Sequence, residues 1–121
     1  MAISTQSDDQ ICILMSQPVA SEKMKAGLKQ MMELRWTLEK TRREINEQRK
    51  QLNVITNDQQ CLRANLKEMP STAKAYKRYL EKFDQQETEI EKYQATIKKL
   101  EETQHTQQKA LDDFLAAFTT E

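Results

Sequence analysis

The sequence predicts an all-α protein, a long antiparallel two-helix coiled-coil hairpin with a short N-terminal helix. Its 121 residues include a single glycine and two prolines, too few for the turns of a sandwich, a barrel or a doubly wound sheet. Charged residues make up 31% of the chain, a share that suits long solvent-exposed helices. Apolar residues also recur in two series with coiled-coil spacing, one on each side of a central proline.

The N-terminal part is predicted to contain a tail and a short helix. Residues 1–7 have the composition of a flexible tail or linker, and Ser7, followed by two aspartates, suits the N-cap of a helix. That helix is predicted over about residues 8–17, and Pro18 ends it. Its narrow apolar stripe consists of Ile11, Leu14 and Met15. A strand over residues 11–15 is the alternative, which the low β-branched content disfavours.

The first long helix is predicted over about residues 21–69. Ser21 is a second candidate N-cap, and no helix breaker follows it before Pro70. At 1.5 Å per residue, such a helix is roughly 70 Å long.

The turn is predicted at about residues 70–71, because a proline disfavours helix at the residue before it. The second long helix then covers about residues 72–118, with Ser71 or Thr72 as its cap. Residues 8–121 are therefore predicted to form a single helical-hairpin domain.

Both long helices show the 3,4 spacing of a left-handed coiled coil, and we call these positions the seam. In the first helix the seam consists of Met31, Leu38, Ile45, Leu52, Gln59 and Leu66, and of Leu34, Thr41, Gln48, Ile55, Leu62 and Met69. In the second it consists of Tyr76, Phe83, Ile90, Ile97, Gln104, Leu111 and Phe118, and of Tyr79, Gln86, Tyr93, Leu100, Gln107 and Phe114. A hairpin pairs residues whose numbers have a nearly constant sum, and a sum of 145 matches the two seams and places Gly27 opposite Phe118.

Two layers of this pairing are polar on both sides. Gln59 falls opposite Gln86, and Thr41 falls opposite Gln104. Polar residues in a seam reduce stability but fix the register of the helices. We therefore predict that these four residues set the register, and that Gln59 and Gln86 hydrogen-bond to each other.

Arginines follow one flank of the first seam, at Arg35, Arg42, Arg49 and Arg63. The corresponding flank of the second helix has Glu87 and Glu101, which are predicted to meet Arg63 and either Arg49 or Arg42. From Ser21 to Met69 there are 11 basic and 7 acidic residues, against 8 and 10 from Pro70 onward. A nucleic-acid backbone bound by the arginine stripe is the alternative, which the interleaved acids and the zero net charge disfavour.

A candidate interaction surface lies on the outer side of the first long helix. Trp36 and Met32 are predicted to point away from the seam, and Leu28 flanks them. An exposed tryptophan beside a methionine is typical of a contact with a second copy or a neighbouring domain. The alternative is that the short N-terminal helix folds back and covers Trp36 with Ile11 and Leu14.

The sequence indicates no catalytic set, no cofactor site and no metal site, so an enzyme is not expected. Cys12 and Cys61 are far apart in the sequence and His105 stands alone, whereas a zinc site needs three or four converging ligands. The longest apolar run, residues 11–15, is too short for a membrane span, and no signal peptide is expected. No compartment is assigned.

Two segments around the turn resemble a known family. Residues 58–66, Asp-Gln-Gln-Cys-Leu-Arg-Ala-Asn-Leu, resemble a DQ-x-R-[LI]-R-x-N-L pattern, and Cys61 stands where the pattern has an arginine. Arg78-Tyr79-Leu80, followed by Gln86-Glu87 and Ile90, resembles an RYL…QE-x-x-I pattern. Residues 8–118 are similar to the C-terminal helical hairpin of the bacterial mucoidy-inhibitor-like family, large proteins of unknown function with a preceding β-rich domain.

The resemblance implies that the chain is the C-terminal part of a larger bacterial protein and that residues 1–5 are a linker. It supplies no catalytic residues. The expected function is a non-enzymatic structural or interaction module, a rigid arm or a hairpin that pairs with a second copy in a four-helix bundle. Its expected partner is protein, either a second copy or a neighbouring domain, rather than a membrane or a nucleic acid.

Overall fold

The computed structural model describes residues 21–119, and this part of the chain is a helical hairpin. Helix α1 covers Glu22–Glu68 and helix α2 covers Lys74–Thr119, with extensive contacts between them and no strand among these residues. The predicted all-α class and the helical hairpin are confirmed. The predicted tail at residues 1–7 and short helix at about 8–17 lie outside the described residues.

Helix α1 begins at its predicted cap. The backbone N–H of Met24 donates to Ser21 Oγ at 3.0 Å, and the N–H of Lys25 donates to the Ser21 carbonyl at 2.9 Å. The Ser21 hydroxyl thus satisfies an amide of the first turn that has no partner within the helix. Glu22 in the first turn and Lys67 in the last complement the helix dipole.

The turn is longer than the sequence predicted. The N–H of Ala73 donates to the Pro70 carbonyl at 3.1 Å, and the N–H of Tyr76 donates to the Ala73 carbonyl at 3.1 Å. Ser71 and Thr72 are the central residues of the Pro70–Ala73 turn, so neither is the N-cap. Ala73 occupies that position, and α2 begins two residues later than expected.

The chain divides into two compact units. We call the unit described over residues 21–42 and 103–119 the terminal unit, and residues 43–102 the turn unit. The terminal unit has a continuous apolar core of Leu28, Met31, Leu38, Leu111 and Leu115. The residues packed against this core are Met32, Leu34, Phe114 and Phe118. The rings of Phe114 and Phe118 stack with their centroids 5.7 Å apart.

Gly27 is required by close packing in the terminal unit. A methyl group on its Cα would contact Phe118 Cε1 and would lie 2.7 Å from Cζ of that ring. The predicted placement of Gly27 opposite Phe118 is therefore confirmed. A glycine inside a helix lowers helix stability, and here it provides the space that the ring occupies.

The turn unit buries its seam less completely. Ile45, Leu62 and Ile97 are buried, together with the polar Gln59 and Gln86. The remaining seam positions of this unit are half-buried. In neither unit is a predicted seam position exposed.

Candidate interaction surface

A reciprocal pair of hydrogen bonds crosses the seam of the turn unit. Nε2 of Gln59 on α1 donates to Oε1 of Glu87 on α2 at 2.6 Å. Nε2 of Gln86 on α2 donates to Oδ2 of Asp58 on α1 at 2.5 Å. We call these four residues the amide–carboxylate layer. Each helix supplies one amide donor and one carboxylate acceptor, so the layer has an approximate two-fold symmetry.

The predicted hydrogen bond between Gln59 and Gln86 is wrong, although both side chains lie in the predicted layer. A hydrogen bond to an ionised carboxylate is shorter and stronger than one between two amides. Asp58 and Glu87 each adjoin one of the glutamines and take its donor instead. The sequence signal was an Asp-Gln pair and a Gln-Glu pair at equal distances from the turn.

The layer is buried at its amides and solvated at its edge. Gln59 and Gln86 are 6% and 7% exposed, whereas the Asp58 side chain is 52% exposed and lies 3.8 Å from Lys82 Nζ. Oε1 of Gln86 is buried without a hydrogen-bond partner. An unpaired buried carbonyl costs free energy, so the layer stabilises one register of the helices at the expense of overall stability.

The other predicted polar layer is built differently. Thr41 is buried, and its hydroxyl donates to the Thr37 carbonyl one turn earlier at 3.2 Å. Gln104 is half-buried. Because the Thr41 hydroxyl has a partner within its own helix, it needs no acceptor from α2. Gln107, further along the same seam, has its Oε1 buried without a partner.

Two arginines of the stripe contact side chains of α2. Arg49 pairs with Glu101 at 3.0 Å, as the sequence predicted. Arg42 donates to Glu39 on its own helix at 2.5 Å and to Oε1 of Gln108 at 3.1 Å. These contacts hold the guanidinium groups against acceptors of the protein itself.

The other two arginines are also engaged. The Arg63 guanidinium lies 5.5 Å from the centre of the Phe83 ring. The predicted pairing of Arg63 with Glu87 is wrong: the Arg63 guanidinium lies over Phe83, and Glu87 Oε1 accepts from Gln59. Arg35 is half-buried and has an interaction partner. Each arginine of the stripe therefore has an interaction partner within the protein.

Trp36, the aromatic residue of the predicted surface, is 61% exposed. Lys40 Nζ lies 5.5 Å from the centre of its ring. Met32 is half-buried and packs against the core of the terminal unit. The placement of Leu28 on an exposed surface is wrong, because this side chain is 3% exposed within that core. The alternative cover for Trp36, the segment at residues 8–17, lies outside the described residues.

Titratable side chains of the described residues do not cluster as metal ligands. Between residues 21 and 119, no group of three or more His, Cys, Asp and Glu side chains is placed to hold a metal ion. Cys61 is a free, exposed thiol. An open groove beside Tyr93 is lined by Gln48, Glu89, Lys92, Tyr93 and Thr96.

Neither described helix has an apolar stretch long enough to cross a membrane. Searches against protein-family models, curated proteins and solved structures find no match for this chain. The resemblance to the mucoidy-inhibitor-like family therefore stays a prediction.

Proposed function

We propose that this chain is a non-enzymatic structural and interaction module, an antiparallel coiled-coil arm of a larger bacterial protein, and that it self-associates. The contacts between the helices support the coiled coil. The pairs Gly27–Phe118, Gln59–Glu87 and Asp58–Gln86 have residue numbers that add to 145, 146 and 144. A nearly constant sum, together with a heptad seam that has no exposed position, is the signature of an antiparallel seam.

The observation on which the self-association rests is the exposure of Trp36. Tryptophan is enriched at the centres of protein interfaces because it buries a large apolar surface with little loss of conformational freedom. Trp36 is 61% exposed on a helix whose seam residues are turned inward. The proposed partner is a second copy of this chain, with a neighbouring domain of the parent protein as the competing outcome.

The contacts of the arginine stripe weaken the nucleic-acid alternative. A protein that binds nucleic acid neutralises phosphates with cations and releases counterions. Here Arg49 and Arg42 already contact carboxylates of the chain, and Arg63 lies against an aromatic ring. An arm that binds protein accounts better for cations arranged in this way.

Sedimentation velocity across a concentration series tests the proposal. We expect a dimer that grows with concentration, and we expect Trp36→Ala to weaken it at least tenfold, the effect of an interface hot spot of about 1.4 kcal/mol or more. Val54→Ala is the matched control, because Val54 is 62% exposed on the same helix but lies in the turn unit.

A monomer at every concentration would contradict self-association and would direct the search to a neighbouring domain. Equal weakening by Trp36→Ala and Val54→Ala would show that Trp36 is not the contact. Salt-dependent retention on a polyanion column would instead favour the nucleic-acid alternative.

A further inference from the structure

Helix α2 carries a row of charged side chains on the side away from the seam. Lys74, Lys77, Glu81 and Asp84 recur at intervals of three, four and three residues, so they lie along one side of the helix. All four are exposed, and within residues 21–119 none of their side chains forms an ion pair. We call these four residues the charge stripe. Its two cations precede its two acids along the helix.

The cations of the charge stripe are placed against the helix dipole. Lys74 is the first residue of α2 and Lys77 follows three residues later, while the first turn contains no acidic residue. A cation at this end of a helix is unfavourable, because the free amide groups there carry partial positive charge. No contact among the described residues offsets this cost. Residues that break a local rule of stability are a signal of function.

The order of the charges makes the stripe complementary to itself. Two helices that pack antiparallel bring together residues whose numbers have a nearly constant sum. A sum of 158 places Lys74 opposite Asp84, and the same sum places Lys77 opposite Glu81. Because a second copy presents the same residues in reverse order, each contact occurs twice around a two-fold axis, which gives four ion pairs. A parallel alignment would instead oppose like charges.

An exposed leucine lies beside the centre of this alignment. The two-fold axis passes close to residue 79, and Leu80 next to it is 46% exposed on one flank of the stripe. The alignment therefore brings Leu80 near the same residue of a second copy. An apolar contact at the centre with polar and charged groups around it is the usual arrangement of a specific protein interface.

We propose that the charge stripe binds a second copy of this chain, with the two α2 helices antiparallel and Leu80 near the two-fold axis. The inference rests on the proposed function in that the partner is a second copy, and it adds a contact in the turn unit. A nucleic acid or an anionic membrane fits less well, because Glu81 and Asp84 would repel it. The stripe is about 15 Å long, so we expect a weak association that salt weakens further.

Charge reversal with rescue tests the inference. Every protein in the test carries Trp36→Ala, so that the contact proposed above does not contribute, and association is measured by sedimentation velocity at low ionic strength. Lys74→Glu with Lys77→Glu, or Glu81→Lys with Asp84→Lys, should weaken self-association at least tenfold, because each stripe then carries four like charges. An equimolar mixture of the two variants should associate again as a heterodimer. The chain with all four changes should also self-associate, because its reversed stripe is again self-complementary.

The matched control changes the net charge equally but outside the stripe. Lys92→Glu with Lys98→Glu replaces two exposed lysines of α2 and should leave the association unchanged. Circular dichroism should show that the Lys74→Glu, Lys77→Glu variant keeps its helices, since acids near the start of α2 favour the helix dipole.

Arg78 separates a second copy from a polyanion as the ligand. It lies one residue from the centre of the alignment, on the flank opposite Leu80, so two copies of Arg78 approach each other. We therefore expect Arg78→Gln to strengthen self-association severalfold, whereas a site for a polyanion would lose affinity with each cation removed.

Four results would overturn the inference: a monomer at every concentration in the Trp36→Ala protein, a mixture of the reversed variants that does not associate, weaker association in Arg78→Gln, or weakening by the lysine changes without weakening by the acid changes. The last result would show that the lysines bind an anion from outside the chain. None of these results would affect the Trp36 contact, which the wild-type concentration series tests separately.

Discussion

The terminal unit and the turn unit use the same two helices and the same heptad columns, but they bury their side chains differently. In the terminal unit the flanking columns hold Leu28 and Leu115, and the core is continuous and apolar. In the turn unit the same columns hold Arg49 and Glu101, and the seam contains the amide–carboxylate layer. A heptad pattern thus determines which side of a helix faces its partner, while the flanking residues determine how completely that side is buried.

The difference also separates stability from specificity. Apolar side chains pack favourably in many registers, so apart from the close contact of Gly27 with Phe118 the terminal core contributes free energy of folding without selecting one register strongly. The amide–carboxylate layer satisfies its donors in one register only, and it leaves Oε1 of Gln86 unpaired. We therefore expect substitutions in the terminal unit to lower stability most, and substitutions in the turn unit to alter register and salt dependence.

The largest change in the free energy of unfolding is expected from truncating a side chain in the terminal core. Leu38→Ala, at a position 3% exposed, is expected to lower the free energy of unfolding by about 2–5 kcal/mol, measured by urea denaturation. Leu52→Ala is the matched control in the turn unit, where the half-buried side chain should give a smaller loss. Equal losses would contradict the difference between the two units.

The next effect concerns Gly27. Gly27→Ala is expected to lower stability by about 1–3 kcal/mol in thermal and urea unfolding, because the new methyl group overlaps the Phe118 ring. Helix propensity alone predicts the opposite sign, a gain of about 1 kcal/mol. Combining Gly27→Ala with Phe118→Leu should recover most of the loss. A stabilised single variant would show that the ring moves aside freely.

A smaller effect of opposite sign is expected in the amide–carboxylate layer. Replacing both Gln59 and Gln86 by leucine should raise the free energy of unfolding by about 1 kcal/mol, because it removes a buried unpaired carbonyl and leaves Asp58 and Glu87 near solvent. It should also allow a second register, visible as extra amide signals in NMR spectra.

The control for that experiment is the neighbouring exposed pair, Gln60 and Gln85. Replacing both by leucine should change neither the stability nor the number of signals. A large loss of stability in the Gln59/Gln86 variant would refute the view that the layer reduces stability in exchange for specificity.

The smallest effect is expected from the ion pair of the turn unit. A double-mutant cycle with Arg49→Gln and Glu101→Gln should give a coupling of about 0.2–1 kcal/mol, because both side chains are half exposed. The coupling should shrink at high ionic strength. A coupling that salt leaves unchanged would mean that the pair acts through packing rather than charge.

The heptad spacing, the helix-breaking Pro70 and the capping residue Ser21 were sufficient to predict the helices, the hairpin and the start of α1. They also placed Gly27 opposite Phe118 and Arg49 near Glu101, because such pairings follow from residue number once the turn is located. The start of α2 was predicted two residues too early, since a proline limits where a helix ends more strongly than where the next one begins.

The sequence could not predict which side chains contact each other within a layer. Periodicity gives the side of the helix from which a residue projects, but not the rotamer that selects among nearby acceptors. Gln59 therefore lies in its predicted layer yet donates to Glu87, and the Arg63 guanidinium lies over Phe83. The burial of Leu28 was missed for a related reason, because a heptad column gives the side of the helix from which a residue projects but not how deeply a flanking residue is packed.

The approximate two-fold symmetry of the amide–carboxylate layer restricts how such a chain can change its length. Asp58 and Glu87 lie at equal numbers of residues from the middle of the turn, between Thr72 and Ala73, so their partners are counted outward from that point. A deletion of seven residues on one side of the turn would bring mismatched heptads together unless seven were also removed on the other. Insertions and deletions in sequences related to this chain should therefore occur as paired heptads, one in each helix.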